Sequence, residues 1–330
     1  MNSKSKKSFI IVVVLIIVAL AVFLSSRSKA KDKVLIYTSA EDYRVEYLTK
    51  RLQEEFPDYD ITIEYMSTGN HAAKLLAEGT KTEFDITHDL DYGYMSQLDA
   101  LGEFADLSNY DMSIYTEDVA LSKNYIIELR NGGAIINPDV LKARGLEEPT
   151  SYKDLLKPEY KGLISMPSPK ASGTGYMFLK SLVNAWGEEK AFDYFDQLTP
   201  NILQYTSSGS GPVNALVQGE VGIGLGMTAQ AVTQINEGKN LKIIFFKEGS
   251  PYSLYGQAII KGKETKPAVK AVFDFLINTY NYENNEKFFP EKIFKDKDYV
   301  VKNYPQNIVY SDMSNNTIDE KTRLLDKWKY

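Results

Sequence analysis

Ser172-Gly173-Thr174-Gly175 sets two hydroxyls and two glycines directly ahead of an apolar, helix-length stretch at residues 176–186. The first turn of a helix leaves four backbone N–H groups unpaired and carries about half a positive charge. Glycine lets a ligand approach that backbone, and serine or threonine adds donors. The segment thus has the chemistry of a site for a phosphate- or carboxylate-sized anion. The plainer reading of the same residues is an N-cap followed by turn glycines. Ser207-Ser208-Gly209-Ser210-Gly211 repeats the pattern ahead of Pro212, and proline suits the start of a helix over 213–217. Two such N-termini side by side would converge on one anion, and Thr228, just after Gly226, is a third candidate hydroxyl.

Thr38-Ser39 and Ser67-Thr68-Gly69 offer the same groups at the ends of apolar runs. Asp89 and Asp91, with Glu41 near the first run, are acids at a strand end that would receive an ammonium on the ligand; the simpler role for Asp91 is to cap the helix through Met95. His71 and His88, the only histidines, read as surface donors rather than a metal pair, and no metal site is expected. Tyr37, Tyr43, Tyr65, Tyr92, Tyr252 and Tyr255 are placed to wall a cleft, although most tyrosines are amphipathic packing residues.

The elements that must position these residues follow from the apolar pattern. Residues 34–37, 61–66 and 84–87 are short strand-like runs, each followed by a helical stretch. Val45, Leu48, Leu52 and Phe56 fall on one helix face, and Pro57 stops that helix. Three β-loop-α units in about seventy residues predict a parallel sheet whose loops collect at one edge. A second α/β unit starts at residues 132–137, continues through strands at 162–166, 202–205, 221–225 and 241–246, and is followed by a strand at 254–260 and a helix at 267–277. The tail from Asn281 is polar and aromatic with less pattern. No repeat or linker interrupts the chain, which suggests two lobes sharing crossover strands.

Composition narrows the function. The 330 residues include no Cys, which removes disulfides, thiolate metal sites and cysteine catalysis. No G-x-S-x-G elbow or G-K-[ST] phosphate loop is present, so an enzyme is not expected and no cofactor is called for. Residues 9–24 are sixteen consecutive apolar residues behind Lys4, Lys6 and Lys7. This reads as an export signal or a membrane anchor over 1–30, with Ser28-Lys29-Ala30 as a cleavage site if it is removed. The body then lies at the outer face of the cytoplasmic membrane or in the periplasm. Residues 31–330 carry a net charge of −11, because five of the 38 basic residues and none of the 44 acids fall in 1–30. A body that acidic is a poor binder of nucleic acid.

Met166-Pro167, Ser172-Gly173-Thr174-Gly175-Tyr176 and Gly187-Glu188-Glu189-Lys190-Ala191 resemble the second lobe of bacterial extracellular solute-binding proteins. Gly219-Glu220-Val221-Gly222-Ile223-Gly224, Glu248-Gly249-Ser250-Pro251-Tyr252 and Gly256-Gln257-Ala258-Ile259-Ile260-Lys261-Gly262 are similar to the same group, which contains ferric-iron, aminophosphonate and sugar-phosphate receptors of ABC importers. The resemblance implies an α/β, two-lobed type 2 periplasmic-binding-protein fold with two crossover strands, an interlobe cleft and closure on binding. Lobe 1 would comprise 31–132 and 256–330, and lobe 2 133–255. It also implies a monomer that captures a small anion, a phosphonate or phosphate ester with or without an amine, and hands it to an ABC permease and ATPase. The family's iron receptors use adjacent tyrosines where this chain has Gly226-Met227-Thr228, so a ferric-ion receptor is the alternative rather than the first reading. A membrane-anchored solute sensor is the other.

Overall fold

The computed structural model describes residues 32–117, 119 and 125–330. The apolar leader and the expectations attached to it lie outside the described residues. Among those described, no helix is long and apolar enough to cross a membrane.

The first lobe is built from β1 (Lys33–Thr38), α1 (Asp42–Glu55), β2 (Asp60–Tyr65), α2 (Thr68–Glu78), β3 (Ile86–Asp91) and α3 (Tyr92–Ala100). β1 pairs in parallel with β2 on one side and β3 on the other. The loops after all three strands therefore leave the same edge of the sheet. α1 buries Leu48 and Leu52, and α2 buries Ala72 and Leu75, one stripe each at helical spacing.

β4 (Tyr125–Ile136) then serves two sheets, and the second lobe follows. Its elements are α4 (Pro138–Ala143), β5 (Ile164–Pro167), α5 (Gly173–Trp186), α6 (Glu188–Leu198), β6 (Ile202–Thr206), α7 (Gly211–Gln218), β7 (Ile223–Met227), α8 (Thr228–Asn236) and β8 (Lys242–Ile244). β9 (Tyr252–Ile259) returns the chain to the first lobe, where α9 (Pro267–Phe275) and α10 (Asn281–Phe288) follow, and α11 (Ile318–Lys327) is the last helix. The strand order is β2-β1-β3-β9-β4-β7-β5-β6, with β8 added to β4.

The hand-over occurs inside β4. Up to Asn131, opposite Tyr252, the strand pairs antiparallel with β9; from Gly132, opposite Met227, it pairs antiparallel with β7. A Cβ at Gly132 would lie 2.9 Å from the Gly226 carbonyl oxygen and 3.0 Å from the Phe178 ring, so only glycine lets the strands approach there. β4 begins seven residues before the expected strand start at Gly132. Glu128 and Arg130 break its apolar run, yet both are buried.

One buried cluster joins the first sheet to α9, including Val34, Ile86, Val269 and Phe273. A second surrounds α5 and α6, including Met166, Phe178 and Phe195. The second cluster also contains Leu324 of α11 and Trp328 just beyond it, with the Trp328 ring 5.1 Å from that of Phe195. The end of the chain thus packs on the second lobe, whereas 256–330 was expected to stay wholly with the first. α11 is short and largely charged, so its few apolar residues alone carried that information.

Candidate functional site

Three loops of the second lobe meet where helices begin. α5 starts at Gly173 after Ser172, whose side chain makes no capping bond, and the Tyr176 N–H closes the first turn on the Ser172 carbonyl at 3.0 Å. α7 starts at Gly211 after Ser210, again without a side-chain cap. α8 starts at Thr228 after Met227, which has no group to cap with. A Cβ at Gly209 would lie 2.5 Å from Thr174 Oγ1 and 3.4 Å from Met227 Cε, so the loops are in contact. Thr174 and Thr228 are buried, and Thr228 Oγ1 has no hydrogen-bond partner among the described residues. Gly175 fits tightly under the Pro167 carbonyl, where a Cβ would be 2.5 Å from its oxygen. Ser207 is exposed, and Ser208 Oγ shares a 2.9 Å hydrogen bond with Ser210 Oγ.

The first lobe closes on these loops. Gly69 N–H donates to the Ala171 carbonyl at 3.1 Å. A Cβ at Gly173 would lie 2.3 Å from the Tyr255 hydroxyl and 3.5 Å from Thr68 Cγ2. The hydroxyls of Ser67 and Tyr255 are buried without a partner among the described residues. Beside this contact a cavity of about 460 Å³ is lined from the first lobe by Asp42, Tyr65, Ser67 and Asn70, and from the second by Ser207, Ser208, Ser210 and Asn214.

The remaining first-lobe candidates are committed elsewhere. Thr38 Oγ1 shares a 3.0 Å hydrogen bond with His88 Nδ1. Ser39 Oγ bonds His71 Nδ1 at 2.8 Å, and His71 Nε2 bonds Thr87 Oγ1 at 2.9 Å. Both histidines are buried, not surface donors, and burial lowers them to about 3 for His71 and about 4 for His88. Asp91 does cap α3, accepting from Gly93 N–H, and it also receives Ser253 Oγ and Lys321 Nζ, each at 2.7 Å.

Asp89 departs furthest from its expected role. Arg130 Nη2 reaches both of its oxygens at 2.7 Å, and Arg44 Nη1 reaches Oδ1 at 3.2 Å. Burial pushes the Asp89 carboxyl up, but the two guanidinium charges outweigh it and hold it at about 2. A buried carboxylate facing two guanidinium groups is already charge-compensated and is not exposed to a ligand ammonium.

Around Asp89 lies a network absent from the sequence reading. Arg130 Nη1 lies 3.1 Å from Glu41, and its Nη2 2.7 Å from Glu128; Arg44 meets Glu41 at 3.1 Å and also pairs with Glu128. Arg44 Nε donates to Asn284 Oδ1 at 3.3 Å, and Asn284 Nδ2 donates to Glu128 at 3.1 Å. Burial raises Glu128 to about 7 against the pull of the arginines. Every guanidinium nitrogen of this pair faces an acid or an amide. Only the side-by-side charges in Glu128-Leu129-Arg130, inside an otherwise strand-like run, signalled it.

Known proteins of related sequence and structure agree with this architecture. Residues 90–318 match the family model described as bacterial extracellular solute-binding protein. An uncharacterized protein of Haemophilus influenzae is 29% identical over 274 residues, covering 80% of this chain and 78% of that one. The spermidine/putrescine-binding periplasmic protein of Escherichia coli is 24% identical over 193 residues, 56% of this chain and 53% of its own length. The periplasmic binding protein AfuA from Actinobacillus pleuropneumoniae, solved with fructose-6-phosphate bound, superposes with a TM-score of 0.79 at 26% identity, over 91% of this chain and 98% of that one. The fold is the two-lobed type 2 periplasmic-binding-protein fold, and the chain belongs to the bacterial extracellular solute-binding protein family.

Proposed function

We propose that the chain captures a small phosphate ester between its lobes and delivers it to an ABC permease and its ATPase. The observation that carries this reading is the meeting of the α5, α7 and α8 starts. Their N-terminal N–H groups, the Thr174 and Thr228 hydroxyls, and Ser67 and Tyr255 across the cleft form an uncharged, donor-rich wall. Such a wall meets a dianion through neutral donors, with the Arg130 guanidinium 3.8 Å from the Tyr255 ring centre behind it.

The relatives bind ligands of opposite charge by name, a sugar phosphate and polyamines. A polyamine needs carboxylates that are not already neutralised. Here Glu41, Asp89 and Glu128 all face Arg44 or Arg130. The cavity beside the helix starts has one lining carboxylate, Asp42; the rest of its polar lining, Tyr65, Asn70, Asn214 and serines, suits the hydroxyl-bearing remainder of an ester. This favours the phosphate ester over the amine.

The test is calorimetry and thermal shift on residues 32–330 with fructose-6-phosphate, inorganic phosphate, spermidine and Fe(III). Binding of the sugar phosphate is expected. At a hundredfold excess over Kd it should stabilise the fold by about 2.7 kcal/mol. Tight binding of spermidine with no response to either phosphate would overturn the proposal.

A further inference from the structure

We propose that Lys321 is a closure pin: its ammonium ties the lobes together in the closed arrangement and so sets how readily they close. The inference rests on the solute-capture reading but not on the identity of the solute.

α11 is anchored to the second lobe along its length. Leu324 and Trp328 sit in the second core, Arg323 pairs with Glu188 at 2.7 Å, and Glu320 lies 3.5 Å from Lys180 of α5. Lys321 points the other way. It is buried, and its Nζ donates to Asp91 Oδ1 at 2.7 Å, at the start of α3 in the first lobe. The same nitrogen lies 4.1 Å from the centre of the Tyr94 ring and 4.7 Å from that of Tyr176. Tyr94 belongs to α3 and Tyr176 to the first turns of α5, so the cage has one wall from each lobe.

Asp91 keeps its place without the lysine. It accepts from Gly93 N–H at 3.2 Å and from Ser253 Oγ on the crossover strand β9 at 2.7 Å. A buried ammonium is costly unless paired, and this one is paired across the lobe boundary. When the lobes part, the cage opens and water must take over both charges. The pair therefore weights the closed state, and any ligand that needs closure binds with an affinity scaled by that population.

Lys321→Met keeps the length of the stem and removes the charge; Lys321→Arg is the charge-retaining control. Two measurements are made on wild type and both variants: small-angle scattering without solute, and titration with fructose-6-phosphate. The methionine variant is expected to show a larger radius of gyration and about tenfold weaker binding, with the arginine variant restoring most of both. A lower melting temperature with unchanged scattering and unchanged Kd would overturn the pin and leave Lys321 as a structural tether. If the wild type ignores fructose-6-phosphate, the ligand reading fails; the pin then stands or falls on the scattering alone, with an unchanged radius overturning it.

Discussion

The two faces of the cleft solve opposite problems. Behind the first-lobe face the molecule is dense in charge, with Glu41, Arg44, Asp89, Glu128 and Arg130 all buried and each answering another. The second-lobe face, where α5, α7 and α8 start, presents glycines, hydroxyls and backbone N–H groups. The charged face is locked upon itself and acts as a platform beneath the crossover strand β4. The uncharged face has donors to offer. Charge in the sequence near a cleft therefore marks where the fold is held, and on the proposed reading recognition falls to neutral groups.

The largest effect should come from unlocking the platform. Arg130→Met leaves Glu41, Asp89 and Glu128 facing Arg44 alone, and removing one partner from a buried ion network costs roughly 3–5 kcal/mol. Denaturant unfolding should show this as a lowered midpoint with an unchanged slope. Glu128→Gln should cost less, because burial raises that carboxyl to about 7, so part of its charge is already given up at neutral pH. Equal losses from both variants would mean that Glu128 is fully ionised and the platform is balanced differently.

Next come changes on the neutral face, which should move binding rather than folding. Thr174→Ala and Thr174→Val each remove a hydroxyl donor. Hydrogen bonds to charged groups contribute about 1.5–3 kcal/mol, so Kd for fructose-6-phosphate should rise roughly tenfold to a hundredfold. Gly173→Ala tests closure itself, since its Cβ would fall 2.3 Å from the Tyr255 hydroxyl. It should weaken binding at least as much while the melting temperature changes little. A variant that melts early yet binds normally would return Thr174 to a capping role, a role the structure gives no side-chain bond to support.

This division explains what could be read from the chain beforehand. The second-lobe loops were legible because glycines and hydroxyls ahead of an apolar helix leave a local pattern, as at Ser172–Gly175 and Ser207–Gly211. The first-lobe network was not, because its near neighbours, Glu41 with Arg44 and Glu128 with Arg130, lie far in sequence from each other and from Asp89, and each looks like a surface residue. Arg44 sits on α1 between Tyr43 and Val45, and beyond nearby Glu41 its partners lie at Asp89 and Glu128. α10 was hidden for the same reason. It buries Asn281, Asn284 and Asn285 in place of an apolar stripe, and Asn285 Nδ2 donates to the Ile127 carbonyl on β4 at 2.6 Å. Strand β4 started early for the same cause, since buried Glu128 and Arg130 erase the apolar alternation on which a strand assignment depends.

The most gradual effect is the pH dependence, which arises chiefly from buried titratable groups. His71 and His88 stand at about 3 and about 4 against an ordinary value near 6.5, so the stability they contribute is present above 6.5 and lost as pH falls through their folded values. Asp89, at about 2, adds stability above its ordinary 3.8 that is lost as pH falls toward 2. Glu128 and Glu291, both raised to about 7 by burial, act in the opposite sense; their stabilisation is present below 4.5 and lost as pH rises through 7. Between 6.5 and 4.5 the two sets oppose one another. Below 4.5 the two glutamates are protonated in both states, and the histidines and Asp89 act together with carboxylates that ion pairs hold low, such as Glu188 beside Arg323 and Lys327 and Glu283 beside Arg51. Stability should therefore change gently from pH 6.5 to 4.5 and fall steeply below, by about 1.4 kcal/mol per pH unit for each proton the unfolded chain takes up in excess. His71→Gln keeps a hydrogen-bonding side chain between Ser39 and Thr87 but cannot titrate. Denaturant midpoints at pH 7, 5, 4 and 3.5 should show its acid slope reduced by about one proton relative to wild type, because every other group is common to both. An identical slope would place the acid sensitivity elsewhere and show that burial does not hold His71 neutral.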